Sequence, residues 1–232
     1  MKLIKLFSLS IVFVLLNCQK KNDKSSVITE NLIKSKTDSS VKPNNNTELK
    51  EITLPKSQAF TKDFLEIEDA EINGHQIVLS LAEFDRLYPT KDSLKTDVWE
   101  CGSPFEWLDE NWMIKTYGRK NSQSGTFERF DGKISSVYTH SAEFNSNKHI
   151  VLFNSADAAK NNFEIKSHHI LLNQNTTIEE FQKLFPQLKK EITDQKNVFR
   201  YRISVGKDRD DAFLFYFKDG KLEEFVLWWL LC

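Results

Sequence analysis

The sequence predicts an α+β fold of two tandem repeats, each a short helix packed on antiparallel sheet. Three observations predict it. Glu71–Leu79 reads E-I-N-G-H-Q-I-V-L, and Glu164–Leu172 reads E-I-K-S-H-H-I-L-L. Each copy then opens a short capped helix, Ser80 to Pro89 in the first and Thr177 to Pro186 in the second. Each later reaches an Asp-Gly-Lys turn signal, Asp131-Gly132-Lys133 and Asp219-Gly220-Lys221. Strands joined by connections this short pair antiparallel, with the helices laid on one face of the sheet.

The elements follow in order. In the first unit, strands are expected near Leu65–Glu68 and Gln76–Leu79. Ser80 and Glu83 have the spacing of a capping box, in which a hydroxyl and a carboxylate satisfy the first free N–H groups of a helix. Phe84, Leu87 and Tyr88 form its apolar stripe, and Pro89 stops it because proline has no N–H to continue the ladder. An insertion around Glu106–Tyr117 carries Trp107, Trp112 and Tyr117. Strands are expected at Thr126–Arg129, Lys133–His140 and Ile150–Phe153, with a hairpin around Asn145–Asn147.

In the second unit, Phe163–Lys166 and His169–Leu172 are rich in β-formers, with a bend at Lys166–His168. Thr177 and Glu180 repeat the capping box, and Ile178, Phe181, Leu184 and Phe185 share one helical face. Val198–Val205 alternates Phe199, Tyr201, Ile203 and Val205 on one side. Asp208–Asp211 is a charged turn, Phe213–Phe217 a strand, and Asp219-Gly220 a hairpin turn. The last strand, Leu222–Leu231, is apolar on both faces. Phe225, Leu227, Trp229 and Leu231 lie on one side, and Val226, Trp228 and Leu230 on the other. One side must face the helices. The other is either a second covered layer, closed by the Trp107–Tyr117 insertion, or a surface that docks a partner through Trp228, Trp229 and Phe215.

The N-terminus reads as targeting, not fold. Lys2 and Lys5 precede the apolar run Leu6–Leu16, too short to span a bilayer and of the length of a signal-peptide core. The run ends in Leu15-Leu16-Asn17-Cys18, which resembles the lipobox of bacterial lipoproteins. The resemblance implies a signal peptide over residues 1–17 and acylation of Cys18. Two or more acyl chains anchor a protein durably, at about 0.8 kcal/mol per buried methylene. Gln19 resembles the pattern of lipoproteins sorted to the outer membrane, which implies an outer-membrane anchor with the folded part outside the cytoplasm.

Residues 18–59 are expected to be a flexible tether, because after Cys18 they hold no aromatic residue and are rich in Ser, Asn and Lys. The repeats are then expected over 60–155 and 156–232. Residues 60–232 carry 22 Lys plus Arg against 28 Asp plus Glu. An acidic body argues against nucleic acid, whose phosphates need a basic face. Cys101 and Cys232 remain once Cys18 is acylated, and export to an oxidising compartment predicts that they pair as a disulfide.

Catalytic vocabulary is sparse. No Gly-x-Ser-x-Gly, His-Glu-x-x-His, phosphate-cradling or dinucleotide-binding motif is present. His75, His140, His149, His168 and His169 lack the spacing of a metal site, and Asp208–Asp211 lacks the glycine and closing glutamate of a calcium loop. No metal, no cofactor and no catalysis are expected. The two-unit pattern is similar to the tandem αβ units of the beta-lactamase inhibitor protein and to the smaller related fold of outer-membrane assembly lipoproteins. That resemblance implies a sheet face that grips a protein partner, and transfers no contact residue to this chain. The expected function is a lipid-anchored, inhibitor-like protein-binding module. The alternatives are an accessory subunit of an envelope complex and an envelope hydrolase.

Overall fold

The computed structural model describes residues 56–231, which fall within one compact unit, Ile52–Cys232. The signal peptide, Cys18, most of the tether and Cys232 lie outside the described residues. The folded part starts before residue 60. The Gln58 N–H donates to the His168 carbonyl at 2.9 Å, and the Ser57 hydroxyl to the His169 carbonyl at 2.7 Å. Composition cannot register such bonds, since they join backbone to polar residues that look like linker. Phe60 is buried, its ring edge-on to His168 at 4.8 Å.

A 3-10 turn at Ile67–Asp69 replaces the strand expected at Leu65–Glu68. Then come β1 (Ala70–Ile72), β2 (His75–Gln76), β3 (Val78–Ser80) and α1 (Leu81–Leu87). The chain continues through β4 (Ser93–Val98), α2 (Phe105–Leu108) and α3 (Glu110–Tyr117). Next are β5 (Lys133–Thr139), β6 (Ala142–Ser146), β7 (Ile150–Asp157), β8 (Phe163–Ile165) and β9 (Ile170–Leu172). Finally come α4 (Ile178–Leu184), β10 (Glu191–Ile192), β11 (Val198–Ser204), β12 (Ala212–Lys218) and β13 (Lys221–Trp228). The class is α+β, antiparallel and dominated by strand. Thr126–Arg129 forms no strand, and Phe127 makes one isolated bridge to Lys120.

The helix ends follow the expected chemistry. Thr177 and Glu180 form a complete capping box, with both reciprocal bonds made. At α1 the Ser80 hydroxyl accepts the Glu83 N–H at 3.2 Å. The Asp219-Gly220 turn has both φ values positive, 49° and 86°, the geometry that matches the twist of a two-residue hairpin. The first Asp-Gly-Lys sits elsewhere. It leads from the loop after α3 into β5, whereas the second joins β12 to β13. The two turn signals are therefore not equivalent in the fold.

Two sheets form. The small one runs β2-β1-β8-β9. At its centre the two copies of the sequence motif pair antiparallel, with Glu71 opposite Glu164. The large one runs β10-β11-β12-β13-β7-β6-β5-β4, with β3 added alongside β7. It consists of two antiparallel meanders whose last strands, β7 and β13, meet through Phe225↔Ala156 and Val226↔Ser155. The expected boundary at residues 155 and 156 falls inside β7.

One face of the large sheet carries the aromatic core. Phe163 of β8 packs edge-on to Phe213, Phe215 and Phe225 at 5.2, 5.0 and 5.7 Å. Phe181 of α4 meets Tyr201, Phe215 and Phe217, and Phe84 of α1 meets Phe144. The small sheet, α1 and α4 thus share one layer against this face. Their rings gain edge-to-face energy beyond simple burial.

Phe163→Ala is expected to cost about 3–5 kcal/mol, since the cavity opens where two sheets meet. Thr177→Ala is expected to cost about 1 kcal/mol through loss of the cap. Leu171→Ala, at a half-exposed position of β9, is expected to stay within about 0.5 kcal/mol of wild type. Urea unfolding of the three variants measures this ranking.

Candidate functional site

Strand alternation turns the partners of the core residues to the opposite face of the large sheet. Cross-strand register lines them up. Trp228 sits opposite Ala212, Val226 opposite Leu214, and Glu224 opposite Tyr216. On the next strand Leu214 faces Arg202, and Tyr216 faces Arg200. On the other side of the seam Val226 faces Ser155 and Glu224 faces Asp157, while Ser155 faces Glu143 and Glu143 faces Tyr138. These side chains are mostly half-buried, as on a sheet face that solvent reaches.

The face has two chemical zones. Over β11–β13 it is aromatic and basic. The Arg202 guanidinium lies 5.1 Å from the centre of the Trp228 ring, a cation–π contact. Arg200 bonds Glu191 through two nitrogens, at 2.8 and 2.6 Å. Its pKa is raised further by hydrogen bonds to Tyr216 and Glu191.

At the seam the face is acidic. A cleft of about 300 Å³ is lined by Asp92, Glu143, Asp157, Glu223 and Glu224, with Tyr138 and Ser155. Burial raises the Glu224 carboxyl above its ordinary range, and the charges of Glu223, Asp157 and Glu143 push it the same way. Glu223 pairs with Lys218 at 2.9 Å, and among the described residues no cation pairs with Glu224.

The α2–α3 insertion packs at the end of the sheet where β7 begins and β13 finishes. Trp112 lies flat on His149 at 4.7 Å, with the planes 1° apart. The Asp109 carboxylate accepts the Asn147 amide at 3.0 Å and stands 3.8 Å from His149. Trp107 packs edge-on to Trp229 at 5.5 Å, with Arg209 above the Trp107 ring at 4.0 Å.

The three residues expected to meet a partner therefore separate. Phe215 is 0% exposed, enclosed by Phe163, Phe181 and Phe185, so its ring is core and not contact surface. Trp229 is 8% exposed, held under Trp107. Trp228 alone of the three lies half-buried on the open face. Tyr216, Arg200, Arg202 and Glu224 are the members that sequence reading missed. Their signal was present, since each alternates with a core residue along β11, β12 or β13.

Cys101 is disulfide-bonded, which leaves no thiol for nucleophilic chemistry, and its expected partner Cys232 lies outside the described residues. Among the described residues no group of three His, Cys, Asp or Glu is placed to hold a metal ion. Among them, too, no helix is long and apolar enough to cross a membrane. No protein-family model, curated protein or solved structure matches this chain.

The raised Glu224 carboxyl has a stability signature. A raised carboxylate pKa in the folded state contributes stability that is full below the ordinary value of 4.5 and is lost as pH rises through the folded value. Glu224→Gln is therefore expected to melt above wild type at about pH 7, with the difference closing toward about pH 4. A difference that stays constant across this range contradicts the assignment. Trp229→Ala is expected to cost about 3–5 kcal/mol and Trp228→Ala about 1–2, by urea unfolding.

Proposed function

We propose that this chain is a lipid-anchored bacterial envelope protein that binds a protein partner through the open face of its large sheet. The observation that carries the reading is the row Trp228, Arg202, Arg200 and Tyr216, which continues into the acidic cleft at Glu224. Trp, Tyr and Arg are the residue types that supply most binding energy at protein interfaces. Here they stand on strands, so their positions are fixed before a partner arrives, and little ordering entropy is lost on docking. Carboxylates beside them would select a partner of complementary, basic charge. The sequence adds the lipobox-like Leu15-Leu16-Asn17-Cys18 and the polar tether, which favour work at a membrane surface outside the cytoplasm.

The chain is further proposed to be an internal repeat, one unit running from β1 to β7 and the other from β8 to β13. The mirrored strand order β4-β5-β6-β7 and β10-β11-β12-β13 supports this, as does the pairing of Glu71 with Glu164. In this reading the partner would lie across the junction of the two units. Cys101 is proposed to pair with Cys232.

A hydrolase is the second reading, and one observation favours it: the cleft around Glu224 holds a carboxyl raised by burial, the state a general acid requires.

The test is crosslinking in intact cells that express the full chain, with wild type, Trp228→Ala and Arg202→Ala compared. Binding through the face predicts capture of one discrete partner by wild type and at least a tenfold loss in both variants, with the melting transition kept. Equal capture by all three proteins, or no partner at all, sinks the proposal. Activity against envelope substrates that Glu224→Gln abolishes would favour the hydrolase.

A further inference from the structure

The large sheet ends at β4, and this edge is unlike the other. β10, at the far end, is two residues long, too short to template another strand. β4 is six residues long, and every one of them is exposed. Among the described residues it pairs with β5 alone, so one row of its backbone N–H and C=O groups is left open.

Edge strands are ordinarily guarded by unpaired charge, by proline or by a bulge. β4 has no proline, and its ladder with β5 runs from Ser93↔Tyr138 to Val98↔Lys133 without a register shift. Its two charges cancel. Lys95 Nζ lies 2.6 Å from Asp97 Oδ2, and both side chains are largely exposed. On the other face of the strand Leu94 and Val98 are 64% and 56% exposed, the apolar side chains that such an edge normally lacks.

The strand reads Leu94-Lys95-Thr96-Asp97-Val98, and this order is self-complementary. Turned antiparallel against itself about Thr96, it sets Leu94 opposite Val98 of a second copy and Lys95 opposite Asp97 of that copy. Thr96 meets its own counterpart on the axis. Apolar meets apolar and each charge meets its opposite, twice over, because a two-fold contact uses the same patch on both chains. A register shifted by two residues sets Lys95 against Lys95 or Asp97 against Asp97, and like charges directly opposite are destabilising.

The geometry points to β4 as the site where a second copy of this chain adds edge to edge, joining the two large sheets into one across a two-fold axis at Thr96. The reading is independent of the partner proposed for the open face. Lys95 and Asp97 lie on the same face of the sheet as Tyr138 and Ser136, so the open faces of the two copies would run together. Six residues per strand make a small interface, at the low end of specific contacts, and the expected dissociation constant is on the order of 10 µM.

The register supplies a charge-swap test by sedimentation velocity on the full chain. Wild type is expected to show a concentration-dependent shift toward twice the chain mass. Asp97→Lys puts two lysines on the edge, and Lys95→Asp puts two aspartates there, so each variant alone is expected to lose at least tenfold in association. An equimolar mixture of the two restores both opposite-charge pairs and is expected to recover the dimer. Recovery in the mixture also excludes a folding defect in either variant. A wild type that stays monomeric up to about 100 µM overturns the proposal. So does a dimer that both swaps leave intact, or a mixture that stays monomeric.

Discussion

The antiparallel seam between β7 and β13 is the constraint on which the rest of this molecule depends. It turns two separate meanders into one sheet, and it does so through a short register, Glu224↔Asp157 to Val226↔Ser155. Phe225 points inward from that seam to Phe153 and Phe163, so the same strand that closes the large sheet also anchors the small one beneath it. The seam has an electrostatic cost, because two carboxylates face each other where the meanders join. A position that merely held the sheet together would be better filled by a pair of opposite charge or by two β-branched residues. Sites where local chemistry opposes the fold are where function tends to reside.

The two faces of the large sheet divide the chemistry between them. The inner face holds four of the six rings on β12 and β13, Phe213, Phe215, Phe217 and Phe225, stacked against α4 and β8. The outer face carries the side chains that keep both an apolar body and a polar tip, among them Trp228, Tyr216, Arg200 and Arg202. Such residues bury area without losing contact with water. The rigid inner packing holds the outer groups on fixed strands, so the aromatic core acts on the open surface through backbone geometry. The α2–α3 insertion reinforces one end of that frame by clasping the β6–β7 turn between Trp112 and Asp109.

Much of this was legible in the residues, and the gaps have physical causes. The Thr177–Glu180 capping box, the Ser80 hydroxyl cap and the Asp219-Gly220 hairpin depend on contacts a few residues apart, and they appeared where the spacing put them; the reciprocal Glu83 half of a box at α1 did not. β11 and β12 announced themselves by alternation. β4 did not, because an edge strand with both faces wet has no buried side to set a pattern, and Ser93–Val98 reads as polar linker. β6 was hidden because its buried members include Asn145, whose amide oxygen accepts the Ser136 hydroxyl at 2.9 Å. A satisfied buried polar group looks like a turn residue in sequence. The candidate site was half visible. Alternation placed Trp228 and Trp229 on opposite faces, but a strand apolar on both sides does not say which face the helices choose. That choice is made by Phe163 and Phe181, far upstream in the sequence, and it sends Phe215 inward.

The strap formed by residues 56–60 has a mechanical consequence. Its backbone bonds run to His168 and Leu184, and Phe60 is wedged against His168 and Phe185, all on the inner layer of the molecule. Any load transmitted along the chain from its N-terminal side is therefore delivered first to α4 and the turn before β9, before it reaches the bond from Leu65 to Ser204 of β11. Those attachments are few and lie one behind another along the strap, so tension meets them singly, as when tape is peeled from a surface. The strap would give way first, and the wide sheet, cross-linked by ladders perpendicular to its strands, would feel the load only when the pull reached Leu65 and its bond to Ser204.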